Sequence, residues 1–305
     1  MKNFRNQIAV VTGGGSGMGR DLCLQLAAEG CHISLSDIST DTAAETRDMA
    51  TAIAPTGTRV TSHGCDVSDE ASVSAWRDAV AAEHETDHVN LVFNNAGIGG
   101  GGAFVDGSRD DWERTFGVCW YGVYYCSRVF MPMLVASDEG HIVNTSSING
   151  FWASIGPHRS HTAYSAAKFA VKGFTEALVT DLRLNAPHVK ASVVMPGHIG
   201  TGIALNSTQV LGHEVSAYVT EMAAEFRNSA PTSSEQAATI ILDGVRDDRW
   251  RILVGDDAHV IDSMVRDHPE EVYEQSFLQR LVEQNAMAGV VNRQRGNTSF
   301  GHEND

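Results

Sequence analysis

Short apolar or β-branched runs alternate with longer stretches of helical period along most of this chain, and that alternation sets its class of fold. The runs lie at residues 8–12, 32–36, 59–63, 89–93, 141–145, 190–195 and 251–254, with helical patterns near 17–29, 40–53, 69–86, 110–136, 163–185 and 233–247. Strands that are apolar on both faces belong in a parallel sheet covered on both sides by right-handed crossovers. The expected architecture is therefore α/β: one doubly wound parallel sheet in three α/β/α layers. Nothing before about residue 255 reads as a linker and no repeat is visible, so a single domain is expected over 1–256. Residues 198–230, rich in Gly, Ser, Thr and Ala, break the alternation and read as a substrate lid leaving the sheet's carboxyl edge. Residues 257–295 read as a C-terminal helical extension broken at Pro269, and 296–305 as a disordered polar tail.

Composition narrows the function classes. Of 305 residues, 22 are Lys or Arg and 38 are Asp or Glu, a formal charge of −16. Such a surface repels phosphate backbones and anionic lipid, so neither nucleic acid nor a membrane is an expected partner. No apolar run approaches the ~18 residues of a membrane span, and the glycine-rich run begins too early for a signal-peptide core. A cytoplasmic protein is expected. Cys23, Cys31, Cys65, Cys119 and Cys126 are odd in number and lack C-x-x-C spacing, so they read as reduced thiols.

The run Thr12-Gly13-Gly14-Gly15-Ser16-Gly17-Met18-Gly19 follows the first strand and opens the first helix. Glycine there lets the backbone turn tightly and approach a pyrophosphate, which then rests against the free N–H groups of the helix N-terminus. About twenty residues on, Asp37 ends the second strand, where a carboxylate accepts from the ribose hydroxyls of NAD and repels the 2′-phosphate of NADP. The lesser reading is that Asp37 caps the helix starting near Asp41, a role that Ser39 or Thr40 supplies instead. NAD is the expected cofactor.

With Gly13-x-x-x-Gly17-x-Gly19, Asp66-Val67 after the third strand and Asn94-Asn95-Ala96-Gly97 after the fourth, residues 1 to about 256 resemble the short-chain dehydrogenase/reductase family. The resemblance implies an NAD(P)-binding Rossmann fold. It also implies that Asp66 and Val67 hold the adenine edge, and that Asn95, Ala96 and Gly97 line the cofactor ribose and brace the central strands.

Tyr164-Ser165-Ala166-Ala167-Lys168 puts a phenol and an ammonium at i and i+4, on one face of a helix. Such a pair is often just an exposed helix pair. Chemically, a nearby cation is expected to favour the phenolate, lowering a pKa near ~10 and making Tyr164 an acid/base for an alcohol or carbonyl. By the resemblance, Lys168 also binds the nicotinamide ribose. The strand ending in Thr145-Ser146-Ser147 supplies hydroxyls able to hold a substrate oxygen. The family pattern, a Ser three positions before a Gly (Gly150), selects Ser147 and leaves Ser146 as a turn residue. The turn Pro196-Gly197-His198-Ile199-Gly200-Thr201 matches the family's Pro-Gly turn, which implies that the Ile199 backbone and the Thr201 hydroxyl hold the nicotinamide carboxamide.

One position departs from the pattern. Where the family carries a catalytic Asn, the run Val118-Cys119-Trp120-Tyr121-Gly122-Val123 has Cys119, a much weaker donor and acceptor than an amide. Three consequences are open: a slower proton relay, a water held by a backbone carbonyl alone, or lost catalysis in an NAD-binding sensor or scaffold. The leading expectation is NAD-dependent interconversion of a secondary alcohol and a ketone. Ile203, Leu205, Val210, Leu211, Tyr218, Met222 and Phe226 of the lid, joined by Phe151, Trp152 and Met195, suggest a hydrophobic or aromatic substrate. The connection from Ser147 to Tyr164 is longer than the family's. Its His158 and His161 are spaced like a metal pair, yet no third ligand is identifiable, so no metal is expected. Gly97 and Gly197 are expected to shape strand-end turns, and residues 99–102 only to loosen a loop. The resemblance implies a homotetramer or homodimer.

Overall fold

A computed structural model describes residues 1–154, 160–284 and 286. In chain order its elements begin β1 (Ile8–Thr12), α1 (Gly17–Ala28), β2 (His32–Asp37), α2 (Thr40–Ile53), β3 (Val60–Gly64), α3 (Glu70–Glu83) and β4 (Leu91–Asn94). Next come α4 (Arg109–Phe116), α5 (Gly122–Val135), β5 (Gly140–Thr145), α6 (Thr162–Asn185) and β6 (Val189–Pro196). The chain continues through β7 (Ile199–Gly200), α7 (Ile203–Val210), α8 (Ala217–Asn228), β8 (Thr232–Ser233), α9 (Ser234–Arg246), β9 (Arg251–Val254), α10 (Asp256–Asp267) and α11 (Gln275–Glu283).

Seven strands pair in the order β3-β2-β1-β4-β5-β6-β9, all parallel. Every residue of β1, β4 and β5 is buried, because helices cover both faces of the sheet. One apolar layer joins α1, α2 and α9 to the sheet through Leu22, Leu26, Ala43 and Ile241; the opposite layer joins α3, α5 and α6 through Trp76, Phe130 and Leu182. The molecule is the doubly wound α/β fold that the alternation predicts. Strand order reverses between β1 and β4, which opens a crevice at the carboxyl ends of these strands, where such folds bind ligands.

Three local departures from the sequence expectations matter for that crevice. The single helix expected over 110–136 is interrupted by a π-helical turn, Gly117–Tyr121, which separates α4 from α5 and carries Cys119. The 198–230 excursion is ordered into β7, α7 and α8, with β7 pairing parallel to β8. Third, a separate apolar cluster ties α10 and α11 to Ile148 and Trp152. The helical break expected at Pro269 falls between α10 and α11. His158, most of the extension beyond residue 284 and the tail 296–305 lie outside the described residues.

Candidate active site

The glycine-rich turn between β1 and α1 is shaped by contacts that exclude side chains. Gly13 and Gly17 have φ of 64° and 53°, a region that favours glycine. A Cβ on Gly19 would stand 2.1 Å from the Gly13 carbonyl oxygen. Ser16 precedes α1 but makes no side-chain cap bond to it, so the N–H groups of the first turn face the crevice without an internal acceptor. Ser16 Oγ instead accepts from Asn206 Nδ2 of α7, 3.0 Å away, and Met18 packs against the core. This cradle fits the pyrophosphate of a dinucleotide.

Asp37 is built into the same turn. Its Oδ2 accepts from Gly15 N at 2.9 Å and its Oδ1 from Ser39 N at 3.0 Å. The cap of α2 is Ser39, whose hydroxyl accepts from Thr42 N, so Asp37 is not the helix cap. Arg20, the guanidinium nearest this turn, is engaged by the Gly15 carbonyl, Thr46 Oγ1 and Glu45.

At the end of β3, Asp66 accepts from Ser68 N and Oγ (3.0 and 2.7 Å) and pairs with Arg114 of α4 at 2.8 Å. Burial raises this carboxyl, but the bonds from Ser68 and Arg114 outweigh it, holding Asp66 below the usual carboxylate range. Val67 is buried against Gly122. After β4, the amides of Asn95 and Ala96 donate to Thr12 Oγ1 at 2.9 and 3.0 Å, fastening the Asn-Asn-Ala-Gly turn to β1. A buried chain of side-chain bonds links Asn94 to Ser127 and to Asn144, and Asn144 to Thr175. The central strands are thereby locked in register beneath the crevice.

On the other side of the crevice, α6 brings Tyr164 and Lys168 against the end of β5. Ser147 hydrogen-bonds the Tyr164 side chain and also accepts from Asn149 N at 3.1 Å. Ser146 Oγ points the other way, donating to the Lys168 carbonyl at 2.7 Å, which makes it a brace between β5 and α6. Lys168 Nζ donates to the Thr145 carbonyl at 2.8 Å and lies 5.4 Å from the Tyr164 ring centroid. The other approach to that ring is taken by His161, stacked at 4.8 Å and 29°.

The electrostatics correct one expectation. Burial pushes the Tyr164 phenol up, and the Ser147 hydrogen bond only partly opposes it. Burial likewise pulls Lys168 down, and the net direction of the phenol is up, opposite to the lowering expected from a neighbouring ammonium. At neutral pH Tyr164 is a protonated donor. Cys119, fully buried in the π turn, donates its thiol to the Ile98 carbonyl at 3.1 Å. Gly97 faces both groups: a Cβ there would lie 3.4 Å from Lys168 Nζ and 3.8 Å from Cys119 Sγ.

The Pro-Gly turn closes the site. Pro196 ends β6, paired with Val254 of β9, and Thr201 lies beside Gly17. Thr201 Oγ1 accepts from Ile203 N at 3.4 Å, and the Thr201 amide donates to the Ile199 carbonyl at 2.8 Å. Under this turn sits Asp257, only 5% exposed. Its Oδ2 accepts from His198 N at 2.7 Å and its Oδ1 from Ala258 N at 3.0 Å. Burial raises the Asp257 carboxyl above its ordinary value, and those N–H donors partly offset the shift.

Two expectations about the substrate mouth fail. Trp152 and Met195 are 1% and 0% exposed and cannot line a pocket. Trp152 donates Nε1 to the Val272 carbonyl at 2.9 Å and packs on Phe277, so it anchors the C-terminal extension. Nor do residues 99–102 merely loosen a loop. Gly99 N donates to Ser207 Oγ at 2.8 Å, the Gly101 and Gly102 carbonyls accept from the start of α6, and a Cβ on Gly101 would meet Ala163 at 2.6 Å. Among the described residues no group of three or more His, Cys, Asp or Glu is placed to hold a metal. None of their helices is long and apolar enough to cross a membrane.

Sequence reasoning missed Arg114, Asn206 and Asp257. Each bonds to a partner at least 48 residues away, so no local spacing marks it. Only Gly255-Asp256-Asp257 at the start of a helix after β9 offered a hint.

Comparison with known proteins bears on the family and the fold. The model of the short chain dehydrogenase family matches residues 7–211. The SadH protein of Mycobacterium tuberculosis is 40% identical over 268 residues, spanning 87% of this chain and 92% of its own. Meso-2,3-butanediol dehydrogenase of Serratia marcescens is 33% identical over 204 residues, 67% of this chain and 70% of its own. A short-chain dehydrogenase/reductase of Burkholderia phymatum, solved in complex with NAD, superposes with a TM-score of 0.77 at 32% identity, covering 90% of this chain and 97% of that one.

Proposed function

The chain belongs to the short-chain dehydrogenase/reductase family of oxidoreductases, and on that premise we propose that it interconverts a secondary alcohol and a ketone with NAD as the hydride carrier. The observation that carries this reading is the hydrogen-bonded Ser147–Tyr164 pair beside Lys168, whose Nζ lies against Gly97 of the turn that packs on the glycine cradle. The cofactor, when bound, supplies the nicotinamide carbon that takes or gives a hydride.

The protein's own residues handle the oxygen and the proton. Ser147 Oγ holds the substrate oxygen, where charge develops as the C–H bond is made or broken. In reduction, Tyr164 Oη donates its proton to the carbonyl oxygen as carbon gains the hydride, leaving a phenolate; oxidation runs in reverse from that phenolate, the phenol proton having first left to solvent, so that Oη takes the alcohol proton as carbon loses the hydride. Lys168, fixed by the Thr145 carbonyl, keeps the phenol in place along the helix face. Asp37 supports NAD over NADP, since its carboxylate is fixed at the end of β2 and Arg20 is already engaged elsewhere. Partly buried apolar residues of α7, Ile203 and Leu205, support a hydrophobic substrate. Self-association belongs to the same reading, supported by the exposed aromatic residues Tyr121, Tyr124 and Phe169 on the π turn, α5 and α6.

The test is turnover of a panel of secondary alcohols and their ketones by wild type and Tyr164→Phe. Turnover should fall roughly 10²–10⁴-fold in the variant while the NAD dissociation constant stays unchanged. Wild type that binds NAD yet turns over nothing on the panel would favour the sensor reading raised by Cys119. A tenfold preference for NADP would remove the role given to Asp37.

A further inference from the structure

The structure assigns Asp257 as a positioning residue for the nicotinamide end of the site, so that the C-terminal extension, beyond the matched segment 7–211, is part of the cofactor pocket. This rests on the dinucleotide reading above and adds to it a residue and an element.

The ends of β6 and β9 lie side by side, and Gly197 N donates to the Val254 carbonyl at 2.9 Å. From there the two chains diverge, β6 into the Pro-Gly turn and β9 through Gly255 into α10. The Asp257 carboxylate fills the fork between them. It receives His198 N from one branch and Ala258 N from the other. It also lies so close to Gly197 that a Cβ there would meet its oxygens at 2.2 and 2.4 Å. Gly255, at φ 97°, shows the same crowding from below: a Cβ would stand 2.6 Å from Asp257 Oδ1 and 3.0 Å from Thr232 Oγ1. Thr232 belongs to β8, the partner of β7, so Gly255 sits between the carboxylate and the short sheet that carries residues 199–200.

An acceptor-only group with two oxygens suits this place. Asparagine would turn an NH2 toward one of the two backbone N–H groups and lose a bond. The residue is also held from behind. Its helix is fastened to β9 by Asp262, which pairs with Arg251, and to the cluster with Trp152 and Phe277 by Ile261 and Met264. A small shift of Asp257 therefore has only the Pro-Gly turn to move.

A merely structural Asp257 would affect folding alone, whereas a positioning Asp257 affects nicotinamide and spares the adenosine half. Purified Asp257→Asn is titrated with NAD and, separately, with ADP-ribose, which lacks the nicotinamide. Melting temperature and the kcat and KM for an alcohol are measured alongside. Gly197→Ala, which drives a methyl into the carboxylate from the opposite side, is the second variant. In both, the ratio of NAD to ADP-ribose dissociation constants should rise at least fivefold and kcat fall at least tenfold, with ADP-ribose affinity changed less than twofold. An unchanged ratio overturns the assignment, whether the two affinities fall together or stay put. Wild type that binds neither ligand overturns the dinucleotide reading and this assignment with it.

Discussion

The half of the cleft built on β1 to β4 is held chiefly by backbone contacts, and the half built on β6, α7 and α10 chiefly by side chains reaching across long stretches of chain. In the first half, Gly13 and Gly19 meet backbone at distances no Cβ tolerates, and Thr12 ties two strand ends together through the amides of Asn95 and Ala96. In the second, Asp257 holds His198, Asn206 reaches Ser16, and Trp152 reaches Val272. Backbone contacts admit almost no substitution but need only a few local residue types. Side-chain contacts admit more, and fail one partner at a time.

The sharpest way to break this contrast is Gly19→Ala. A Cβ placed 2.1 Å from the Gly13 carbonyl has nowhere to relax, so a loss of about 3 kcal/mol in stability is expected from overpacking. NAD binding should weaken roughly a hundredfold or more. Equilibrium urea unfolding and an NAD titration check both, and a variant that binds NAD normally would show that the turn is softer than its contacts imply. In the other half, Trp152→Ala removes a fully buried indole and is expected to cost about 3–5 kcal/mol in the same assay. Its readout is different in kind: limited proteolysis should release the C-terminal extension while the segment from β1 to β4 stays protected. Simultaneous loss of both regions would mean that the extension and the sheet unfold as one unit.

The smallest effect is acid sensitivity. Burial, aided by Arg59, His32 and His63, lowers the His84 imidazole to about 4, and burial does the same to His141. In the unfolded chain both titrate near ~6.5. Between those values the unfolded chain binds protons that the folded one refuses, so their contribution is full above ~6.5 and declines as pH falls toward 4. From pH 7.5 to 5 each histidine should lower stability by about 2 kcal/mol. His84→Gln should flatten the urea midpoint between those two pH values; an equally steep fall would place the sensitivity elsewhere.

What was readable beforehand follows the same division. The cradle, Asp37, the Asn-Asn-Ala-Gly turn and the Tyr164–Lys168 face were visible because each is a short pattern whose geometry lies within a turn of helix or one strand end. Ser147 was separable from Ser146 by the resemblance to the family pattern, and the structure gives them opposite directions, Ser147 to Tyr164 and Ser146 to the Lys168 carbonyl. The errors came where burial had to be known. An ammonium at i+4 was expected to lower the phenol, yet the same enclosure that brings them together disfavours both charged forms. Trp152 and Met195 looked like pocket walls because apolar residues near a site read alike whether they face a ligand or the core. The glycines at 99–102 looked idle because the α6 and α7 residues that crowd them lie 60 and 108 positions further on.

The sequence by itself determined the layered α/β fold, the crevice at the strand ends and the residue types that stand in it, because period, turn chemistry and helix spacing are local properties. Tertiary structure alone decided which way the charges of Tyr164 and Lys168 shift, that α7 reaches the glycine turn through Asn206, and that Asp257 grips the Pro-Gly turn. Those outcomes depend on desolvation and on hydrogen bonds between segments far apart in the chain. Neither exists until the sheet brings β6 and β9 side by side.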